Sequence, residues 1–313
     1  MKPFVLLATR AEDVPADEEY ELFLRHTGLE PASLRRVRLE AGPMPEIDLD
    51  DISGIFVGGG PFNASDPWEQ KSLVQRRVEA EFSNLLARVI AHDSPFLGAC
   101  YGIGTVGAFL GATIDRRFGE PISVVDVELT DAGRRDPLLA GMPPTFPAFV
   151  GHKEAISALP SRAVLLASSA GCPVQMFRVG ENVYATQFHP ELDLEGITTR
   201  IHAYAGYGYF APDELDLTLS AVRRSPVTHT GSILSAFVER YLATLADGDA
   251  GAALAIPGVA IDTTELEAAG LPATASDALL RRAVLTYDLA DVEIVRESTA
   301  DGVTEVTATY AID

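Results

Sequence analysis

Cys100 lies in Ser94-Pro95-Phe96-Leu97-Gly98-Ala99-Cys100-Tyr101-Gly102-Ile103-Gly104, a short apolar run that gives way to small residues. That order predicts a buried strand turning abruptly into a helix, which Thr105 to Leu110 continues. A thiol on such a turn faces unpaired backbone N–H groups and the positive end of a helix dipole, both of which favour thiolate. Free cysteine is more often core filling, so the turn gains meaning only with a partner. The partner stands downstream, in Tyr184-Ala185-Thr186-Gln187-Phe188-His189-Pro190-Glu191. This is a strand running into a histidine with a carboxylate two positions beyond. A cysteine nucleophile needs a base to take and return its proton, and the base needs a third group to fix its tautomer. His189 and Glu191 supply both types in order.

Bringing these stretches together is the work of an α/β framework. Phe4 to Ala8 reads as a parallel-type strand, Asp17 to His26 as a helix, Arg36 to Leu39 and Ile55 to Val57 as further strands. Gln70 to His92 carries Leu73, Val74, Val78, Phe82, Leu85, Leu86 and Val89 at helical spacing. After the Cys100 turn come candidate strands at Ile122 to Leu129, Phe146 to Val150, Val164 to Ala167, Val174 to Phe177 and Val183 to Phe188. Alternating strands and helices followed by successive strands predict a flavodoxin-like, mostly parallel sheet flanked by helices and extended by an antiparallel portion. Chemistry in such sheets collects at the carboxyl ends of the strands, where Gly60, Cys100 and His189 all fall. Leu194 to Tyr204 and Ser232 to Ala246 read as helices, with the aromatic, glycine-rich segment 204–210 as a packed loop.

The 313 residues are expected to divide into a domain at 1–246 and a small α+β appendage at 247–313, joined by Asp247-Gly248-Asp249-Ala250-Gly251. In the appendage, Thr264 to Ala269 and Ser276 to Arg282 read as short helices, Val284 to Arg296 and Val303 to Ile312 as paired strands. Too small to hold a comfortable core alone, it is expected to pack on the main domain or to join two copies of the chain as a homo-oligomer.

A formal charge of −21 argues against nucleic acid and anionic membranes as partners. Two cysteines are too few for a disulfide framework and no Cys/His spacing suggests zinc, so neither metal nor cofactor is expected. No apolar run reaches the roughly 20 residues that span a bilayer, and Phe4 to Ala8 is a strand and not a leader. The expected setting is a reducing cytoplasm. A dinucleotide-binding oxidoreductase is excluded because the first strand runs into Thr9-Arg10-Ala11-Glu12 without a glycine-rich turn. Gly58-Gly59-Gly60 lacks the Lys-Ser/Thr of a P-loop.

Over about its first 245 residues the sequence resembles the class I glutamine amidotransferases, most nearly the stand-alone relatives of the GMP synthase glutaminase domain. Gly59-Gly60-Pro61 matches the family's oxyanion loop and Gly98-Ala99-Cys100-Tyr101-Gly102 its nucleophile elbow. Gly151-His152-Lys153-Glu154 falls where relatives carry His-x-Asp, Pro173-Val174-Gln175 matches the strand before the last motif, and Gln187 to Glu191 reproduces the terminal signature. The resemblance implies that Cys100 attacks a glutaminyl side-chain amide, forming a γ-glutamyl thioester. It further implies that His189 moves the protons, Glu191 orients His189, and the N–H groups of Gly60 and Tyr101 hold the oxyanion. Gly59, His152 and Gln187 are implied to bind the substrate.

One departure stands out. The family's elbow continues Cys-x-Gly-His-Gln, and that glutamine helps bind substrate, whereas here Ile103 and Gly104 occupy its last two places. The reading is therefore a cysteine-dependent amidohydrolase of glutamine or of a γ-glutamyl compound. No synthetase domain accompanies it, so any ammonia acceptor is a separate enzyme. The alternative is a catalytically weak relative acting as a binding or assembly module. Lys153 reads as a solvated charge.

Overall fold

The computed structural model describes residues 2–206, 208, 212–246, 290–300 and 303–311. In chain order the elements are β1 (Phe4–Ala8), α1 (Asp13–Thr27), β2 (Leu34–Arg38), β3 (Gly54–Val57), α2 (Leu73–Ala91), β4 (Phe96–Ala99) and α3 (Tyr101–Leu110). Next come β5 (Thr113–Asp115), β6 (Glu120–Leu129), β7 (Thr145–His152), β8 (Ala155–Ala158), β9 (Ala163–Ser169), β10 (Met176–Val179) and β11 (Val183–Thr186). Helices α4 (Leu194–Ala203), α5 (Leu215–Arg224) and α6 (Gly231–Ala246) follow, and then the strands β12 (Ala290–Ala300) and β13 (Val303–Ala311).

Nine strands form one sheet in the order β2-β1-β3-β4-β11-β10-β9-β6-β7. From β2 to β11 every pairing is parallel. From β11 onward every pairing is antiparallel, which is the extension expected from the run of successive strands.

The parallel strands are apolar without alternation because both faces are covered. In β1, Phe4 and Leu6 pack on one side with Phe23, Phe56, Leu97, Phe188 and Phe237. Val5 and Leu7 pack on the other with Val57, Phe82, Leu86, Phe96 and Val106. Thus α1 and α6 cover one face, while α2 and α3 cover the other. Phe56 stacks among Phe4, Phe23 and Phe237, with ring centroids 5.2–5.5 Å away.

Local signals set the helix ends. Ser72 caps α2 by accepting the N–H of Gln75, and Gly28 closes α1 in the left-handed region at φ +68°. Helix α5 and the small β5–β8 pair go beyond the sequence reading. The sole apolar side chains of α5 that are buried are Leu219 and Val222, which dock on Leu22, Ile122, Leu192, Ile197 and Ile201. So short a stripe gives a weak periodic signal. In the tail, β12 and β13 pair antiparallel with Ala300 opposite Val303. The expected helices at 264–269 and 276–282 and the linker at 247–251 lie outside the described residues. Among the described residues, no helix is long and apolar enough to cross a membrane.

Candidate active site

Strand β4 ends at Ala99, α3 starts at Tyr101, and Cys100 forms the whole of the turn between them. Its backbone sits at φ +52°, ψ −94°, a costly region for a residue with a side chain. The neighbours hold it there. Cys100 N–H donates to Thr186 O at 2.8 Å, tying the turn to β11. A Cβ on Gly98 would stand 3.0 Å from the Gly102 backbone, so the turn closes tightly only with glycine at 98, while a Cβ on Gly102 would stand 3.3 Å from Val57 Cβ. Tyr101, as the first residue of α3, has an N–H with no intrahelical partner.

The β11 strand runs parallel to β4 and delivers His189 beside Cys100. His189 and Cys100 line one cavity, close enough for the charge on the sulfur to act on the ring. On its other side, Nδ1 lies 2.8 Å from Glu191 Oε1. We assign the Nδ1 proton to that carboxylate, which leaves Nε2 for the sulfur. Burial disfavours the imidazolium, but the charges of Glu191 and the Cys100 sulfur outweigh it and push His189 up to about 8. Burial likewise works against an ionised Glu191, yet His189 and Arg200 hold its carboxyl far below the usual range.

Arg200 is one of several residues that motif reading missed. Its Nη2 bridges Glu191 Oε1 at 3.0 Å and Glu19 Oε1 at 3.1 Å. Glu19 Oε1 also accepts from Arg10 Nε at 3.0 Å, and Arg10 Nη1 donates to the Tyr204 hydroxyl at 2.9 Å. Arg10, Glu19, Glu191 and Arg200 are all at most 5% exposed. Stripping one charge from such a buried set costs about 3–5 kcal/mol, because its partners stay behind unpaired. Nη1 of Arg200 also lies 3.0 Å from His189 Nδ1. It cannot donate to a nitrogen whose proton goes to Glu191, so at the histidine it contributes charge and position. The sequence does hold a signal: Glu19 is four before Phe23 and Arg200 three after Ile197, which puts charges in apolar register.

The glycine-rich end of β3 threads through this cluster. A Cβ on Gly59 would stand 2.6 Å from Arg10 Nη2, 2.7 Å from His189 Cε1 and 3.5 Å from Cys100 Cβ. Cys100 opens on two cavities. One is lined by Gly60, Tyr101, Gly104, His152, Glu154 and Gln187, the other by Arg10, Gly60, His189, Arg200 and Tyr204. His152 is fixed in the wall of the first, with Nδ1 2.9 Å from Glu154 O and Nε2 2.8 Å from Glu120 Oε2. Gln187 is buried and its N–H donates to Gln175 O at 2.8 Å.

Glu120, His152 and Cys172 bring donor atoms of metal-binding type within 4.8 Å of one another. Those atoms are spent on hydrogen bonds: Glu120 Oε2 takes His152 and Gln175, and the Cys172 thiol donates to Val174 O at 3.5 Å. Burial pushes that thiol up to about 12.

Residues 24–205, more than half of the chain, match the family described as glutamine amidotransferase class-I. The chain belongs to that family. Among the chain's relatives, the glutamine amidotransferase-like protein YfeJ of Salmonella typhimurium is 31% identical over 163 residues, covering 51% of the chain and 65% of YfeJ. The glutamine-hydrolyzing GMP synthase of Aeropyrum pernix is 30% identical over 216 residues, covering 69% of the chain and 36% of that protein. The chain thus spans less than two thirds of the length of each of these. One of the subunits of the glutamine-hydrolyzing GMP synthase of Pyrococcus furiosus is 26% identical, covering 54% of the chain and 80% of its own length. The crystal structure of a glutamine amidotransferase from Thermotoga maritima matches the fold with a TM-score of 0.59 at 22% identity, covering 77% of the chain and 99% of that protein. One from Methylobacillus flagellatus does so with a TM-score of 0.55 at 17% identity, over 77% and 95%.

Proposed function

We propose that this amidotransferase is a cysteine-dependent amidohydrolase that cleaves the side-chain amide of glutamine or of a γ-glutamyl compound. The observations that support it most are His189 Nδ1 2.8 Å from Glu191 Oε1 and the cavity that His189 shares with Cys100. The Cys100 thiolate adds to the amide carbon, and the carbonyl oxygen takes the negative charge. N–H groups of Gly60 and Tyr101 stabilise that oxyanion, each worth about 3 kcal/mol. Imidazolium His189 then protonates the nitrogen, the C–N bond breaks, and a γ-glutamyl thioester remains. In the second half His189 takes a proton from water, hydroxide adds to the thioester, and the sulfur leaves as thiolate, freeing the γ-carboxylate. Glu191 fixes the ring throughout. Gly59, His152 and Gln187 shape the glutamyl side of the pocket.

The two unpaired cysteines suit a reducing cytoplasm. The Pyrococcus furiosus relative is by name one subunit of a synthase. That supports a separate ammonia-accepting enzyme as partner if ammonia is passed on.

Hydrolysis of glutamine and γ-glutamyl amides by wild type and by Cys100→Ala tests the reading. Cys100→Ala should lose turnover and keep its fold. A glutamine-like diazo-ketone should label Cys100 and spare Cys172, which is fully buried with its thiol pushed up to about 12. Turnover that survives Cys100→Ala would overturn the proposal.

A further inference from the structure

Cys100 and Gly60 line both cavities of the site, so the reacting carbon belongs where the two meet. With the glutamyl group on the side of His152 and Gln187, the departing nitrogen faces His189, the ring that protonates it. Whatever that nitrogen carries continues past His189 into the second cavity. This cavity is cationic. Arg10, His189 and Arg200 line it, and no carboxylate does among the described residues. The anions that balance these groups, Glu19 and Glu191, have fully buried side chains and stand behind them.

Arg10, just past β1, keeps one donor unused. Its Nε bonds Glu19 and its Nη1 the Tyr204 hydroxyl, while Nη2 has no acceptor among the described residues. The side chain is only 6% exposed, where an unmet donor is costly. Nη2 also lies beside the His189 ring: it and His189 Cε1 both fall within 2.7 Å of the point that a Cβ on Gly59 would occupy. An acceptor on Nη2 is therefore close to the nitrogen that His189 protonates. In an α-amino acid, the carboxylate oxygens are about 3 Å from the nitrogen.

From this arrangement we propose that the second cavity is a leaving-group site in which Arg10 Nη2 binds the α-carboxylate of a departing amino acid. The inference rests on the hydrolase reading above and specifies its substrate class: γ-glutamyl amino acids, cleaved by water to glutamate and a free amino acid. The nitrogen leaves with the proton from His189, and the oxygen of water stays on the γ-carbon as carboxylate. The buried Val150, Leu192 and Ile197 form an apolar wall for the amino acid's side chain. Glutamine itself, whose leaving group is ammonia, does not reach Arg10.

The test measures kcat/KM of the full chain for L-γ-glutamyl-L-alanine and for L-γ-glutamyl-ethylamide, the same compound without its carboxylate. The dipeptide should be favoured at least about tenfold, as a hydrogen bond between charged groups implies. In Arg10→Gln the preference should fall toward one, and the ethylamide reports separately what the change does to Glu19 and its neighbours. Equal values in wild type, or an equal loss on both compounds in Arg10→Gln, overturns the proposal. Where Arg10→Gln does not fold, Arg10→Lys keeps a charge beside Glu19 but not the fork that reaches a second acceptor, and should lower the preference likewise. Affinities of Cys100→Ala for the two compounds separate the inference from the reading beneath it. Tighter binding of the dipeptide with no hydrolysis of either compound by wild type keeps the Arg10 site and removes the hydrolase. Equal affinities with equal hydrolysis of both keep the hydrolase and remove the site.

Discussion

At His189 two forces oppose each other, and which one wins sets the protonation of the site. Burial favours neutral imidazole, while Glu191 and the Cys100 sulfur favour imidazolium and raise it from 6.5 to about 8. For folding, a raised value means that the bound proton contributes stability fully below about pH 6.5 and loses it as pH rises through about 8. The depressed carboxyl of Glu191 acts in the opposite sense, contributing above its ordinary 4.5 and losing that only in strong acid. For catalysis, kcat/KM on γ-glutamyl-p-nitroanilide should hold up to about pH 8 and fall above it, as the imidazolium that protonates the leaving nitrogen disappears. Glu191→Gln should move that limb about one pH unit lower and reduce the plateau, because the charge holding the proton is gone. A limb at the same pH in both proteins would show that Glu191 does not govern His189.

At the scale of elements, the site depends on loops that pass very close to one another at the ends of β1, β3, β4 and β11. The β3 end is the tightest: the Cβ of Gly59→Ala would fall 2.6 Å from Arg10 Nη2 and 2.7 Å from His189 Cε1. Both are far ends of side chains and can shift, so the fold should survive at a cost of about 1–3 kcal/mol. The histidine cannot shift without losing its aim at the sulfur. Gly59→Ala should therefore lower kcat by about a hundredfold or more with only a modest change in urea midpoint. Near-normal kcat would show that the loop has slack there. Much of this was legible in the chain, because unbroken apolar runs such as Phe4 to Ala8 are characteristic of strands covered on both faces. Helix α5, with two buried apolar residues, and the three-residue β5 were not, since such short elements are held by tertiary contacts and not by their own pattern.

On the scale of the whole molecule, the extra length beyond residue 246 is the main question. The Thermotoga maritima structure matches over 99% of its own length while covering 77% of this chain, so the fold shared with it is complete without the remainder. We propose the boundary at 246 on that ground, and a chain ended after Ala246 should fold, with kcat/KM within about twofold of the full chain and an unchanged urea midpoint. Loss of activity on truncation would make the tail part of the site. The sequence by itself determined the doubly covered sheet and the order of Gly60, Cys100, His189 and Glu191, because strand periodicity, a small-residue turn and a histidine followed by an acid are local in the chain. Only the tertiary structure decided the chain of charges from Arg10 through Glu19 and Arg200 to Glu191, and the placing of Glu154 against Gly104. Those partners are up to 181 residues apart, and which buried charge meets which depends on how helices settle on the sheet.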